Sequence, residues 1–196
     1  MMKRIFVFAL LCGMTAVGLA QDKALPLDER GKLIYYEVVE KKEVDLATLK
    51  ERARLFFDKA KELTVEVQEV DSLWYAKGKL LINKTAFVLS RPSGEVLYRL
   101  YVDFKPGKYR FWLTDFSFIP YQRDRYGNFV PSTTIGIPLE RKQGKLNAGE
   151  WESYVKATAR EVKLFAERFK QSMSEQPINP PTAKAVPTVA TKNQKW

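Results

Sequence analysis

The residues with the most chemical reach stand two apart in the segment "LYRLYVDFKPGKYRFWLTDFSF" (97–118). Arg99, Tyr101 and Asp103 lie on its first arm, Arg110 and Trp112 on its second. Alternation by two puts such residues on one face of a strand. Guanidinium groups beside Tyr and Trp rings are the side chains that most often anchor interfaces. A cationic track with stacking aromatics is also what a reader of single-stranded nucleic acid carries. The segment "LWYAKGKLLIN" (73–83) adds Tyr75, Lys77 and Lys79 at the same spacing. A longer connection, "YQRDRYGNFVP" (121–131), adds Arg123, Arg125 and Tyr126 around a Gly-Asn turn. The candidate binding set is therefore Tyr75, Lys77, Lys79, Arg99, Tyr101, Arg110, Trp112, Arg123, Arg125 and Tyr126. The competing reading is that the long connection or the N-terminal leader folds over this face and makes its aromatics a second small core.

Other chemistries are closed by composition. The chain has no histidine and a single cysteine, Cys12. A Cys/His zinc site and a Ser-His-Asp triad both need residues that are missing. No metal, cofactor or catalytic residue is assigned. Asp115 reads as core-side, opposite Tyr98, where a desolvated carboxyl could serve as acid or base. No pattern places a second carboxylate beside it, and glycoside hydrolysis needs a pair. A carboxylate-dependent envelope hydrolase is therefore the alternative reading and a non-enzymatic binding or scaffold module the main one.

The compartment follows from the first residues. "MMKRIFVFALLCGMTAVGLAQDK" has a basic tip at Lys3 and Arg4, an apolar run from Ile5, and small residues Gly18 and Ala20. That is the layout of a secretory signal peptide cleaved after Ala20. Cys12 follows Leu11, where a lipidation motif needs a small residue. Cleavage removes Cys12, and with it any disulfide or thiol nucleophile. It also lowers the formal charge of +10 by the two charges of Lys3 and Arg4. In an exported chain the remaining positive balance points to anionic partners rather than to nucleic acid. The expected partner is an envelope protein, peptide or glycan, the location periplasmic or extracellular, and no transmembrane segment remains after cleavage.

Several elements must position these residues. A polar leader occupies 21–32. "LIYYEVVE" (33–40) alternates as a strand. Asp45 caps a helix whose apolar stripe runs Leu46, Leu49, Ala53, Phe56, Phe57, Ala60 and Leu63. "TVEVQEV" and "LWYAKGKLLIN" flank Asp71-Ser72 as a hairpin. "TAFVLS" reads as a strand extension and "RPSG" as a turn. The opening segment is a hairpin turning at Pro106-Gly107, which sets Phe104 opposite Tyr109, Val102 opposite Phe111 and Leu100 opposite Leu113 toward the core. Its other face pairs Asp103 with Arg110, Tyr101 with Trp112, Arg99 with Thr114 and Leu97 with Phe116. A patternless stretch follows. Asn147 and Glu150 then read as a capping box opening a second helix, with Trp151, Tyr154, Val155, Thr158, Val162, Phe165 and Phe169 as its stripe. From 173 to 196 Pro, Thr, Ala, Lys and Gln read as a disordered tail.

The order "GKLIYYEVVE", "WYAKGKLLIN", "YRFWLTDFSF" resembles a family of exported bacterial domains, domain of unknown function 4468, described as having a TATA-binding-protein-like (TBP-like) fold. The resemblance covers about residues 31–172. It implies an α+β fold, a curved antiparallel sheet in the order β-α-β-β-β-β-α with two helices on one face, the half-saddle of that family. The domain proper would then span 33–172. The resemblance carries no activity with it, and the connection 120–146 is where this chain is expected to differ from its relatives.

Overall fold

The computed structural model describes residues 24–63, 68–70, 73–86 and 89–175. The expected signal segment and most of the C-terminal tail lie outside them. The elements run β1 (Tyr35–Glu40), α1 (Leu46–Lys59), β2 (Gln68–Val70), β3 (Leu73–Ala86), β4 (Leu89–Lys105), β5 (Lys108–Arg123), β6 (Phe129–Pro131), β7 (Ile137–Pro138) and α2 (Ala148–Ser174). The sheet is antiparallel in the order β1-β5-β4-β3-β2, with β6 and β7 also paired to β5. The two short strands β6 and β7 are additions to the expected order. They fall in the connection that reads as patternless because each is too short to show a period.

Both helices cover one face. Asp45 caps α1 as its sequence requires: its Oδ1 accepts from the Thr48 amide at 2.8 Å. Leu49, Ala53 and Phe57, spaced by four, are buried. The helix stops at Lys59, and Leu63 instead bridges to Gly78 in β3. Along α2 the buried stripe is Thr158, Ala159, Val162, Phe165, Ala166, Phe169 and Met173. Phe169 is the hub: its ring lies 5.1 Å from Phe56, 5.0 Å from Phe111 and 5.8 Å from Tyr109. Met173 is fully buried and the helix continues to Ser174, two residues past the expected domain end at 172. Leu25 of the leader also belongs to the core. Among the described residues no helix is long and apolar enough to cross a membrane.

Three local expectations are corrected. The "RPSG" stretch is not a turn but part of β4, where Pro92 lies opposite Asn83 just past a register shift. A bulge tolerates a residue without an N–H. The reversal between β3 and β4 falls at 87–88, outside the described residues. The capping box at Asn147 does not form. That residue already has helical backbone angles (φ −107°, ψ −1°), and its side chain makes no capping hydrogen bond. Glu150 Oε1 instead accepts from the Tyr154 hydroxyl at 2.9 Å. Finally, Arg52 belongs to "KERARLFFDKAKE" (50–62), whose interleaved acids and bases read as an ordinary solvated helix face, yet it is buried and its Nη1 donates to the Met173 carbonyl at 2.8 Å. The cation there meets the negative end of α2.

Candidate functional site

The β4–β5 hairpin has the expected register from Lys105–Lys108 back to Arg99–Thr114. Gly107 takes the positive φ of 73° that its turn demands. Leu100, Val102, Phe104, Tyr109, Phe111 and Leu113 all face the helices and are buried. Their neighbours in sequence therefore face away from the helices.

On that open face the register lines up four aromatic rings in a single row, one from each strand. Tyr75 of β3 lies opposite Tyr101 of β4, Tyr101 opposite Trp112 of β5, and Trp112 opposite Tyr36 of β1. Tyr101 and Trp112 stack with centroids 5.1 Å apart and planes 12° from parallel. Tyr75 flanks Tyr101 at 5.2 Å, and Tyr36 flanks Trp112 at 6.5 Å. Tyr36 was not among the sequence candidates. The signal was present in "LIYYEVVE": two adjacent tyrosines on a strand must point to opposite faces.

Charges border the row on both sides. On one side the Arg110 guanidinium lies 5.6 Å from the Trp112 ring centroid, and its Nη2 is 2.9 Å from Asp103 Oδ2. Hydrogen bonds that Arg110 donates to Tyr36 and Asp103 hold its pKa above the usual arginine value. On the other side stand Lys77 and Arg99, which lie opposite each other. Arg99 pairs with Asp115 at 3.5 Å. Lys79 comes next on its strand and pairs with the buried Glu95 at 3.5 Å. Glu95 also accepts from the Tyr121 hydroxyl at 2.9 Å. Burial, together with that carboxylate, pushes the Tyr121 hydroxyl up to about 12. A pocket of about 190 Å³ opens beside the row, lined by Tyr36, Val38, Asp103, Lys105, Lys108, Tyr109 and Arg110.

Asp115 corrects the sequence reading. It was placed toward the core, opposite Tyr98, and Phe116 was placed opposite Leu97 on the open face. Instead the register shifts between Leu97 and Arg99, and Leu97 lies opposite Ser117. Asp115 adopts a positive φ of 56°, and its carboxylate goes to Arg99. Phe116 and Phe118 turn into the core. The cause is visible in the spacing: Tyr109, Phe111 and Leu113 share one parity, Phe116 and Phe118 the other. Keeping both sets buried requires one extra residue between them, which is a bulge.

The remaining candidates sit elsewhere. β5 continues to Arg123, where Asp124 closes a tight turn by accepting from the amides of Tyr126 and Asn128, each at 2.8 Å. Arg125 lies 4.8 Å from the Tyr126 ring centroid, and Tyr126 is 74% exposed. This tip is roughly 35 Å along the strand from Trp112 at about 3.3 Å per residue. Arg123, Arg125 and Tyr126 therefore form a separate exposed point, while the other seven candidates share one surface.

That surface is open among the described residues. Tyr36 and Val38 are 52% and 51% exposed, and the side chains of Arg99 and Arg110 are about half exposed. Among the described residues of the leader, Arg30 reaches this face: its Nη2 donates to Thr114 Oγ1 at 3.4 Å, and its charge acts on Asp115 and Tyr101. Among the described residues, no three His, Cys, Asp or Glu side chains gather where they could hold a metal ion.

Residues 35–119, which span β1 through most of β5, match the family model described as "Domain of unknown function (DUF4468) with TBP-like fold". The chain is similar to the crystal structure of a TBP-like protein from Parabacteroides distasonis, with a TM-score of 0.56 and 15% identity, over 79% of this chain and 100% of that one. It is also similar to a DUF4468 family protein from Bacteroides ovatus, with a TM-score of 0.54 and 13% identity, over 80% of this chain and 94% of that one. At such identities the likeness is one of fold. No curated protein matches the chain.

Proposed function

We propose that the protein, whose residues 35–119 match the model of the TBP-like domain family of unknown function 4468, a family that brings a fold and no activity, is an exported, non-enzymatic binding or scaffold module. Its binding surface is the sheet face away from the helices, and its partner is an envelope protein, peptide or glycan. The observation that carries this reading is the row Tyr75–Tyr101–Trp112–Tyr36 with Arg99 and Arg110 beside it. Aromatic and arginine side chains on an exposed, rigid sheet are what anchor partners. Apolar and aromatic surface of this kind is seldom left bare without use.

The charges of the face favour binding over hydrolysis. Its carboxylates are held by cations: Asp103 by Arg110, Asp115 by Arg99 and Glu95 by Lys79. Asp103 meets Arg110 directly across the hairpin, whereas Asp115 reaches Arg99, four residues before Asp103 along β4, so the two do not converge as the acid pair of a glycosidase must. This argues for the module over a carboxylate-dependent envelope hydrolase.

Two measurements test the reading. Mass spectrometry of the protein from its native host should find a mature N-terminus at Gln21 or a near neighbour. A chain that keeps Met1 would remove the argument for export. Capture from envelope extracts by the wild type, compared with a W112A variant of equal folded content, should lose its specific bands. Identical profiles would remove the sheet face from the function.

A further inference from the structure

The geometry of the row narrows what it can hold. Flat ligands such as sugar rings and bases need exposed ring faces to stack on. The two central rings do not offer them. Tyr101 has Trp112 against one flank and Tyr75 on the other. Trp112 has Tyr101 on one flank, with Tyr36 and the Arg110 guanidinium around the remainder. The two central rings therefore keep little free face for a flat ligand.

The surroundings are basic. Lys77, Arg99, Lys105, Lys108 and Arg110 border the row or line the pocket beside it, and all five are exposed. Three acids stand among them: Asp103 and Asp115 are paired to Arg110 and Arg99, and Glu40, opposite Lys108 on β1, is paired to Lys42. The pocket of about 190 Å³ has the size of a single side chain's berth, and three cations stand around it.

We infer that this face takes an acidic segment of a partner protein, its carboxylates against the cations that flank the row and one acidic side chain in the pocket beside Arg110. The inference rests on the reading of this face as the binding surface. It chooses a carboxylate-rich peptide over a glycan or a nucleic acid.

The test uses the full-length chain and a fluorescein-labelled Glu-Ser repeat peptide followed by anisotropy. Binding should weaken with added salt. K77E/K108E and W112A should each weaken it by about tenfold or more, as loss of an anchor does. K59E/K156E, the same charge change made on the helices, should leave it within about twofold. If the helix variant weakens binding as much as the face variant, the attraction is only net charge and the inference falls. Polygalacturonate, a neutral chito-oligosaccharide and single-stranded oligo-dT are competed against the peptide. If one of them binds more tightly in a manner that W112A abolishes, the acidic-peptide inference falls while the binding face stands. If W112A alters the binding of no probe, both fall together.

Discussion

Trp112 and Phe111 are neighbours in sequence on opposite faces of β5, and replacing each by alanine measures the two faces against one another. Phe111 is fully buried, with Phe169 at 5.0 Å, Tyr35 at 5.9 Å and Tyr109 at 6.2 Å. Its loss leaves a cavity that the rigid sheet and helices cannot close, so F111A should cost roughly 4 kcal/mol. Trp112 is only partly buried. Its removal forfeits the stack on Tyr101, about 0.5–1.5 kcal/mol. It also forfeits an exposed cation–π contact with Arg110, about 0.5–1 kcal/mol, and a cross-strand pair with Tyr36, about 0.2–1 kcal/mol. W112A should therefore cost roughly 2 kcal/mol, about half as much as its neighbour. With a urea dependence near 2 kcal/mol per molar, the two midpoints should lie about 1 M apart. Urea unfolding followed by far-ultraviolet circular dichroism reads this difference directly. If W112A were as costly as F111A, some other part of the chain would be covering the row in solution, and the platform would be a second core. If W112A cost nothing, the stack would not form. A W112A/Y101A cycle should return a coupling of about 0.5–1.5 kcal/mol.

Three further outcomes follow from single positions. A Cβ on Gly78 would lie 2.4 Å from the Tyr98 ring, which is itself 2% exposed and held by Phe116 and Phe165. G78A should therefore cost about 1–3 kcal/mol by chemical denaturation, and Y98L should relieve part of that cost. Asp115 has a φ of 56°, so D115V should destabilise by about 1–2 kcal/mol and D115G far less; equal losses would mean that the Arg99 pair, not the bulge geometry, matters there. The Asp45 carboxylate is held below its ordinary value of 3.8, chiefly by the hydrogen bond it accepts from the Thr48 amide. A depressed pKa means its stabilisation is present above that ordinary value and is lost as pH falls through the lower folded value. The melting-temperature gap between wild type and D45A should thus be full at neutral pH and shrink below about pH 4; a gap that widens on acidification would contradict the cap.

The α+β class, two helices on one face and the hairpin register at Pro106-Gly107 were all legible in the sequence. Each rests on a local period: two for strands, about 3.6 for helices, set against a need to bury apolar side chains. The same parity placed Tyr101 beside Trp112 and Asp103 beside Arg110, because a hairpin's register follows from its turn. The resemblance carried by "YYEVVE" and "YRFWLTDFSF" was legible for the same reason, and the family model matches there, over residues 35–119 rather than the expected 31–172.

What the sequence left open depends on contacts between distant segments. Tyr36 joins the aromatic row only because β1 pairs with β5, seventy-odd residues away in the chain, at the register that sets it opposite Trp112. Nothing local to "LIYYEVVE" selects which of its two tyrosines faces the helices; burial of Phe111 and Leu113 under α2 does. The short strands β6 and β7 exist because the edge of β5 is there to pair with. Arg52 is buried because the C-terminal turn of α2 ends over it. At Asp115 the decision is tertiary as well. Two apolar sets of opposite parity both demand the core, and the backbone meets that demand by taking the bulge and turning a carboxylate outward to Arg99. Period and composition are properties of one segment, whereas a site is a property of several segments, and only packing brings them to the same surface.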